Sequence, residues 1–323
     1  MRSNTNFRFS VLFLVVLVIW PNAEAEAASG SFEKSIAVDE PIQLDVRTGS
    51  GKITIKSGAS GRIEVVGHIS TKRGFFSRSS KNAEEAVQLF ESEPPVELVD
   101  GQLRIGHYKN NKYGRNVTIN YDIIVPRDIQ VASHTGSGSQ TISGVTGPVE
   151  VSTGSGHIEL DDVGGPVEAS SGSGSIRAES VAGAFQAHSG SGSIRMDQVS
   201  PGDVDVSCGS GNIVLNNIVG ELSAHTGSGK IVVDGHPTGG WTLDSGSGTI
   251  KITFPDDAAF ELDARAHSGS INIDHPLTIQ GTVSKKHLSG EVRGGGPLIE
   301  IESGSGNIRI DERLATMSSE NDG

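Results

Sequence analysis

Four histidines, His134, His188, His225 and His267, each stand two residues before a glycine. A file of imidazoles on one face is a metal-binding pattern in principle. In the repeat that carries them, Ser152 and Ser170 fall between His134 and His188, and Ser207 between His188 and His225. The closest pair is therefore two repeat units apart, about 10 Å at a strand spacing of about 4.8 Å. That is too far for two imidazoles to share one ion, so these histidines are read as solvent-facing.

A second file is unbroken. Asp161, Glu179, Asp197, Asn216 and Asp234 follow an apolar segment at equivalent positions in consecutive units. Carboxylates stacked at strand spacing repel one another unless they are solvated, paired or bridged by a hard cation such as calcium. Asp161, Glu179, Asp197 and Asp234 are thus calcium candidates, weighed against the ordinary use of Asx residues at wet turns. The calcium-roll repeat GGxGxDxUx is absent, which favours the turn reading. Further along each unit, Glu159 beside Arg177 is placed to form a surface ion pair of the kind worth a fraction of a kcal/mol.

Catalytic constellations are harder to find. Polysaccharide-cleaving β-helices need carboxylates gathered with a base or metal in a groove. Asp161-Asp162 and Asp256-Asp257 are the adjacent aspartate pairs, and Trp241 is the one tryptophan outside the N-terminal apolar run. The recurrent GSG triplet lacks the partners of a nucleophile elbow or a phosphate loop. No catalytic residue and no cofactor is assigned. Cys208, the single cysteine, shares a column of small residues with Thr153, Ser171, Ser189 and Thr226, and it is read as one of them.

The elements that must position these columns come from a repeat. GSG triplets begin at Gly136, Gly154, Gly172, Gly190, Gly209, Gly227 and Gly246, at intervals of 18, 18, 18, 19, 18 and 19 residues, with another at Gly304. A flexible Gly/Ser linker has no reason to keep a period. Residue types alternate on both sides of each triplet: in "VEVSTGSGHIEL", Val149 and Val151 face one way and Glu150 and Ser152 the other, then Ile158 and Leu160 point inward. A third inward column is expected at Val145, Val163, Val181, Val199 and Ile218. One such unit cannot bury its apolar face, whereas stacked units share a core. The pattern predicts an all-β fold, a parallel, right-handed β-helix or β-solenoid of 18–19-residue coils. The triplet glycines serve as turn residues, needing either φ > 0 or close backbone approach.

The ends depart from the repeat. Arg2 and Arg8, the apolar run "VLFLVVLVIW" and A-x-A sites ending at Ala25 or Ala27 predict a signal peptide over residues 1–27; retention as an anchor is the alternative. Residues 30–128 are expected to form an N-terminal coil with a helix and hairpin insert. The helix lies in "KNAEEAVQLFES", where Ala83, Ala86, Val87 and Phe90 recur at helical spacing. The solenoid follows over 129–312, continuous with this region. Leu277 to Gly296 is expected as an irregular insertion before the last coil, and 313–323 as a disordered tail.

The order "NYDIIVPRDIQVASHTGSGSQTISGVTGPVEVSTGSGHIEL", with the helix-containing insert before it and "GGGPLIEIESGSGNIRI" after it, resembles bacterial adhesin-like β-strand repeat proteins of unknown function. These are related to the auto-transporter adhesin head, or GIN, domain, and the resemblance spans roughly Phe32 to Ile310. It implies a β-solenoid and supplies no catalytic residues. A net charge of -13 excludes a nucleic-acid partner, which would require a basic face. The expected protein is a non-enzymatic, exported module of the periplasm, cell surface or medium, with no membrane span after signal cleavage. Its partner would be an envelope or surface protein or glycan, met on the flat repeat faces or at the Phe75-Phe76 and Lys285-Lys286 loops. A carbohydrate-active β-helix enzyme is the competing reading. A periplasmic sensing or scaffold component of an envelope-stress system, suggested by the resemblance, is a third.

Overall fold

The computed structural model describes residues 28–38, 42–58, 61–71, 80–107, 117–279 and 284–313. They form 25 strands and one helix, all the strands joined in one continuous sheet. The signal segment, Phe75-Phe76 and residues 314–323 lie outside the described residues. Arg313, expected in the tail, ends the strand Ile308–Arg313.

Each repeat unit is one coil. Val149–Thr153 pairs in parallel with Val167–Ser171, which pairs with Phe185–Ser189 and then Val204–Cys208, always at the same repeat position. On the second side, Ile158–Val163, Ile176–Val181 and Ile194–Gln198 stack in the same manner. Period-two alternation sends Val149, Val151, Ile158 and Leu160 inward, and all four are buried. Because equivalent positions lie directly over one another, the interior consists of ladders of Val, Ile, Leu and Ala that need few aromatics.

At the GSG turn the reason for glycine is space. None of the triplet glycines has a positive φ. A Cβ placed on Gly174 would lie 1.7 Å from the carbonyl oxygen of Gly156 in the coil before, so only a residue without one fits. A hydroxyl just before the triplet, or the Cys208 thiol in its place, ties each coil to its predecessor. The Thr153 hydroxyl donates to Gly138 O at 3.1 Å and accepts from Gly156 N at 2.9 Å. Ser171 and Ser189 repeat both bonds, and the Thr226 hydroxyl donates likewise to Gly211 O at 3.0 Å.

The third side corrects one expectation. Val145, Val163, Val181 and Ile218 are fully buried, but Val199 is 62% exposed. Asp162, Ser180 and Asn217 adopt φ between 52° and 58°, each inserting one left-handed residue before the inward position. The coil at Asp197 omits that step. Its register shifts, Gln198 pairs with Val181, and Gln198 fills the inward place at 3% exposure. Its amide is satisfied there: Nε2 donates to Gly202 O at 2.8 Å and Oε1 accepts from Val219 N at 2.7 Å.

Both ends of the stack leave the simple coil. At the N-terminal end, Gln102–Ile105 adds in parallel to Gln43–Thr48, and Val96–Val99 closes it antiparallel. On the other side Val117–Val125 adds to Ile53–Ser57 and is followed by antiparallel Arg62–Thr71 and Ser29–Ala37. The helix Ser80–Ser92 packs there, burying Ala86, Val87 and Phe90, with Glu91 Oε1 accepting from Ser31 N at 3.1 Å.

At the C-terminal end the coil that comes last in sequence does not end the stack. Leu298–Ser305 lies between Ile231–Ser245 and Phe260–Ser268. Ile308–Arg313 lies between Ile250–Pro255 and Ile271–Ile273. The segment expected to be irregular contains the strands Leu277–Ile279 and His287–Val292, the latter antiparallel on Phe260–Ser268, and these close the edge. Trp241, Phe254, Phe260 and His275 fill the interior here, with ring centroids 4.7 to 6.2 Å apart. Among the described residues, no helix is long and apolar enough to cross a membrane.

Candidate functional site

A trough of about 660 Å³ runs along the solenoid axis on the outer face of the first-side strands. One wall is the residue just before the first inward side chain of each coil: Gln130, Pro148, Pro166, Ala184, Asp203, Glu221 and Gly240. The other is the first outward-facing residue of the strand, including Glu150, Glu168, Gln186, Asp205 and Ser223. Between them the inward-turned side chains of Val149, Val167 and Phe185 leave only backbone as a floor, which makes the surface concave. Seven coils contribute, so the trough is about 29 Å long at the inter-strand spacing.

Its electrostatics are one-sided. Five carboxylates line it, from Glu150, Glu168, Asp203, Asp205 and Glu221, and no Lys, Arg or His does. Glu150 and Glu168 are direct neighbours in adjacent strands, an arrangement that costs stability when nothing neutralises it. Among the described residues, no ion pair involves Glu150, Glu168 or Asp205. On the second side several carboxylates do find a cation, while Glu159 and Asp161 have no ion pair among the described residues. Glu179 pairs with Arg177, Asp234 with Arg313, and Asp311 with Lys251 at 3.2 Å. Burial pushes the Asp311 carboxyl up, but hydrogen bonds and charge from Arg309 and Lys251 outweigh it and hold it below the usual carboxylate range.

The calcium candidates fall on that second side. Asp161 and Glu179 stand side by side in adjacent strands, as do Asp197 and Asn216. Their side chains go to different partners: Glu179 and Asp234 to arginines, and Asp197 to Asn217 Nδ2 at 2.7 Å. Among the described residues, no group of three or more His, Cys, Asp and Glu is arranged to hold a metal. Glu159 is the cross-strand neighbour of Arg177, but the guanidinium turns to Glu179 on its own strand.

Three of the four histidines do share a column. Nδ1 of His134 lies 2.7 Å from Ser152 Oγ, that of His188 2.8 Å from Ser207 Oγ, and that of His225 3.0 Å from Asp244 Oδ2. His267 leaves it. The shortened turn sets Ala266 against Ser303, so Arg265 occupies the histidine position and His267 falls opposite the turn glycine Gly304.

A polar cluster at this end has no counterpart in the sequence reading. Asp244, Asp263, Glu300, Glu302 and Arg265 surround a second hollow of about 230 Å³. Asp263 holds Arg265 at 2.6 Å and His287 at 3.1 Å. These residues are far apart in sequence and meet because Leu298–Ser305 inserts between two earlier coils. Trp241 is buried, its Nε1 donating to Gly220 O at 3.0 Å, so its ring is not open to a sugar.

Comparison with known proteins places the repeat. The family model described as Toastrack DUF4097 matches residues 123–311. No curated protein matches the chain. Among solved structures, a candidate adhesin from Bacteroides fragilis is 12% identical, covering 88% of this chain and 97% of its own, with a TM-score of 0.37. A candidate adhesin from Parabacteroides distasonis is 9% identical, covering 87% and 97%, also at 0.37. A candidate cell-adhesion protein from Clostridium sporogenes is 14% identical, covering 88% and 100%, at 0.26.

Proposed function

This chain belongs to the Toastrack DUF4097 family, and from that premise we propose that it is a non-enzymatic, adhesin-like binding module of the cell envelope or surface. The observation that carries this reading is the trough: one concave surface continuous over seven coils. Stacked repeats build such extended surfaces because each coil adds the same profile to the last. It suits a linear ligand, protein or glycan, lying along the axis. Export rests on the leader-like pattern of residues 1–27.

Ala184 sits exposed in the middle of the trough, so Ala184→Trp fills it without changing charge. Immobilised protein and the variant are incubated with separated envelope fractions. Retention by the parent chain that is lost in the variant supports the reading; equal retention by both overturns it.

The cluster of Asp244, Asp263, Glu300 and Glu302 favours a second reading, hydrolysis or elimination on a polysaccharide, since closely spaced carboxylates are what that chemistry uses. Product release from a polysaccharide panel that disappears in Asp263→Asn and Glu300→Gln would establish it in place of the first.

A further inference from the structure

We infer that the C-terminal end is a two-state device. In its second state the last coil, Leu298–Ser305 with Ile308–Arg313, leaves its slot, and Phe260–Ser268 closes directly onto Ile231–Ser245. This exchange dismantles the second hollow, because Glu300 and Glu302 go with the coil and Arg265 comes to stand beside Asp244.

The two walls of the slot fit each other as well as they fit the coil between them. Ile299 stands between Trp241 and Leu262, and Ile301 between Leu243 and Ala264. On the second side Ile308 stands between Ile250 and Ile271, and Ile310 between Ile252 and Ile273. With the middle member gone, each row still joins apolar residues on the same side of the pleat. The outward row agrees too, since Asp244 then meets Arg265 where Glu302 now separates them. Phe260–Ser268 also finds nearly the same ledge in either state. The sequences "SGSGTIKI" from Ser245 and "SGSGNIRI" from Ser303 differ only at Thr249/Asn307 and Lys251/Arg309. His267 lies opposite a glycine both times, Gly304 in the inserted state and Gly246 in the other.

The connections permit the exchange. Leu298 is reached through Arg293-Gly294-Gly295-Gly296, in which Arg293, Gly294 and Gly295 have φ between 52° and 89°. A Cβ on Gly294 would meet nothing within 4 Å, so this hinge is unpacked at its centre. The link from Pro255 to Phe260 now passes the inserted coil, two strand spacings or about 9.6 Å, and the second state asks it for only one. Closing Phe260–Ser268 onto Ile231–Ser245 also forms a shorter loop than bringing in Leu298, at a smaller entropic cost. Ion pairs oppose departure: Asp311 holds Lys251 at 3.2 Å, and Arg313 pairs with Asp234. The inserted order is therefore the ground state, and anything that crowds the slot shifts the balance.

The test uses the full chain with Cys208→Ser and two pairs of introduced cysteines. Thr242→Cys/Glu300→Cys joins direct neighbours of the inserted state, about 4.8 Å apart. Thr242→Cys/Asp263→Cys joins residues about 9.6 Å apart in that state, beyond the disulfide limit of about 7 Å, and neighbours only in the second. Intramolecular bridging under mild oxidant and tryptic cleavage after Arg309 are followed for both. The first pair should close at once and protect Arg309. The second should close more slowly, and its bridged form should be cut after Arg309 at least tenfold faster. Gly306→Ala puts a Cβ 1.9 Å from Gly248 O and crowds the slot, so it should speed the second bridge at least tenfold. Gly174→Ala places a like clash in a distant coil and should change that rate less than twofold. If the second pair never bridges, either in the folded protein or on refolding from urea, while the first pair closes, the inference is overturned. A second bridge that leaves Arg309 as protected as the first does, or equal acceleration by the two glycine variants, overturns it as well.

Discussion

The thiol of Cys208 lies 2.9 Å from the carbonyl oxygen of Gly192 in the preceding coil, and Gly211 N lies 3.0 Å from the same sulfur. In the coil before, the Ser189 hydroxyl makes both contacts, and in the coil after, the Thr226 hydroxyl donates to Gly211 O. Sulfur is the larger atom and the weaker donor and acceptor, so this turn is the poorest copy of a bond repeated down the stack. Cys208→Ser should stabilise the protein by about 0.5–1 kcal/mol, and Cys208→Val should destabilise it by about 1–3 kcal/mol by leaving a buried N–H and C=O without partners. Thermal unfolding of the two variants checks both signs. A serine variant melting below the parent would mean that sulfur packing outweighs the hydrogen bonds.

The turn glycines predict a graded result. An added Cβ at Gly174 would meet Gly156 O at 1.7 Å, whereas at Gly49 it would meet nothing within 4 Å. Gly174→Ala should cost at least about 1–3 kcal/mol, the range for overpacking, and Gly49→Ala should be within about 0.5 kcal/mol of the parent. Denaturant unfolding that ranks the two equally would remove close approach as the reason for glycine.

Gln198 and Val199 exchange the roles that the repeat assigns them. Val199→Asp should therefore change stability by no more than about 0.5 kcal/mol. Gln198→Ala should cost about 1–3 kcal/mol, because Val219 N and Gly202 O lose their partners. The opposite order in chemical unfolding would restore Val199 to the core.

Asp311 gives a pH dependence with a definite sign. Its folded-state carboxyl lies below the ordinary carboxylate value because Arg309 and Lys251 outweigh its burial. A depressed folded value means that its contribution is fully present above the unfolded value, about 3.9, and is lost as pH falls through the folded one. The parent should be more stable than Asp311→Asn at pH 5 to 7, and the difference should shrink as pH falls below about 4. Urea unfolding of both proteins across that range checks it; a gap that does not narrow as pH falls below about 4 would contradict the assignment.

The coil itself was legible in the sequence. Alternation around each GSG triplet identified the inward Val, Ile and Leu columns, and the 18- and 19-residue spacing placed one triplet above the next. Parallel stacking puts each residue beside its counterpart one repeat away, so a linear pattern becomes a spatial one without further information. The rule broke where backbone geometry departs from the period. Nothing in "MDQVS" announces that the left-handed residue is skipped, so the repeat alone places Val199 inward. Nor does "AHSGS" show that its short turn moves His267 off the histidine column.

Function-bearing surfaces divide along the same line. The sequence contains the acidic residues of the trough, but their place along one surface depends on in-register parallel stacking of the coils. The cluster of Asp244, Asp263, Arg265, Glu300 and Glu302 is further still from sequence reading, because strand order at the C-terminal end differs from chain order. By itself, the sequence determined the repeat, its core columns and its turns, since these follow from local alternation and steric limits on backbone approach. Tertiary structure alone decided which coil ends the stack, which carboxylates find a cation and which remain in an open trough, since these depend on pairing between strands that the chain does not make neighbours.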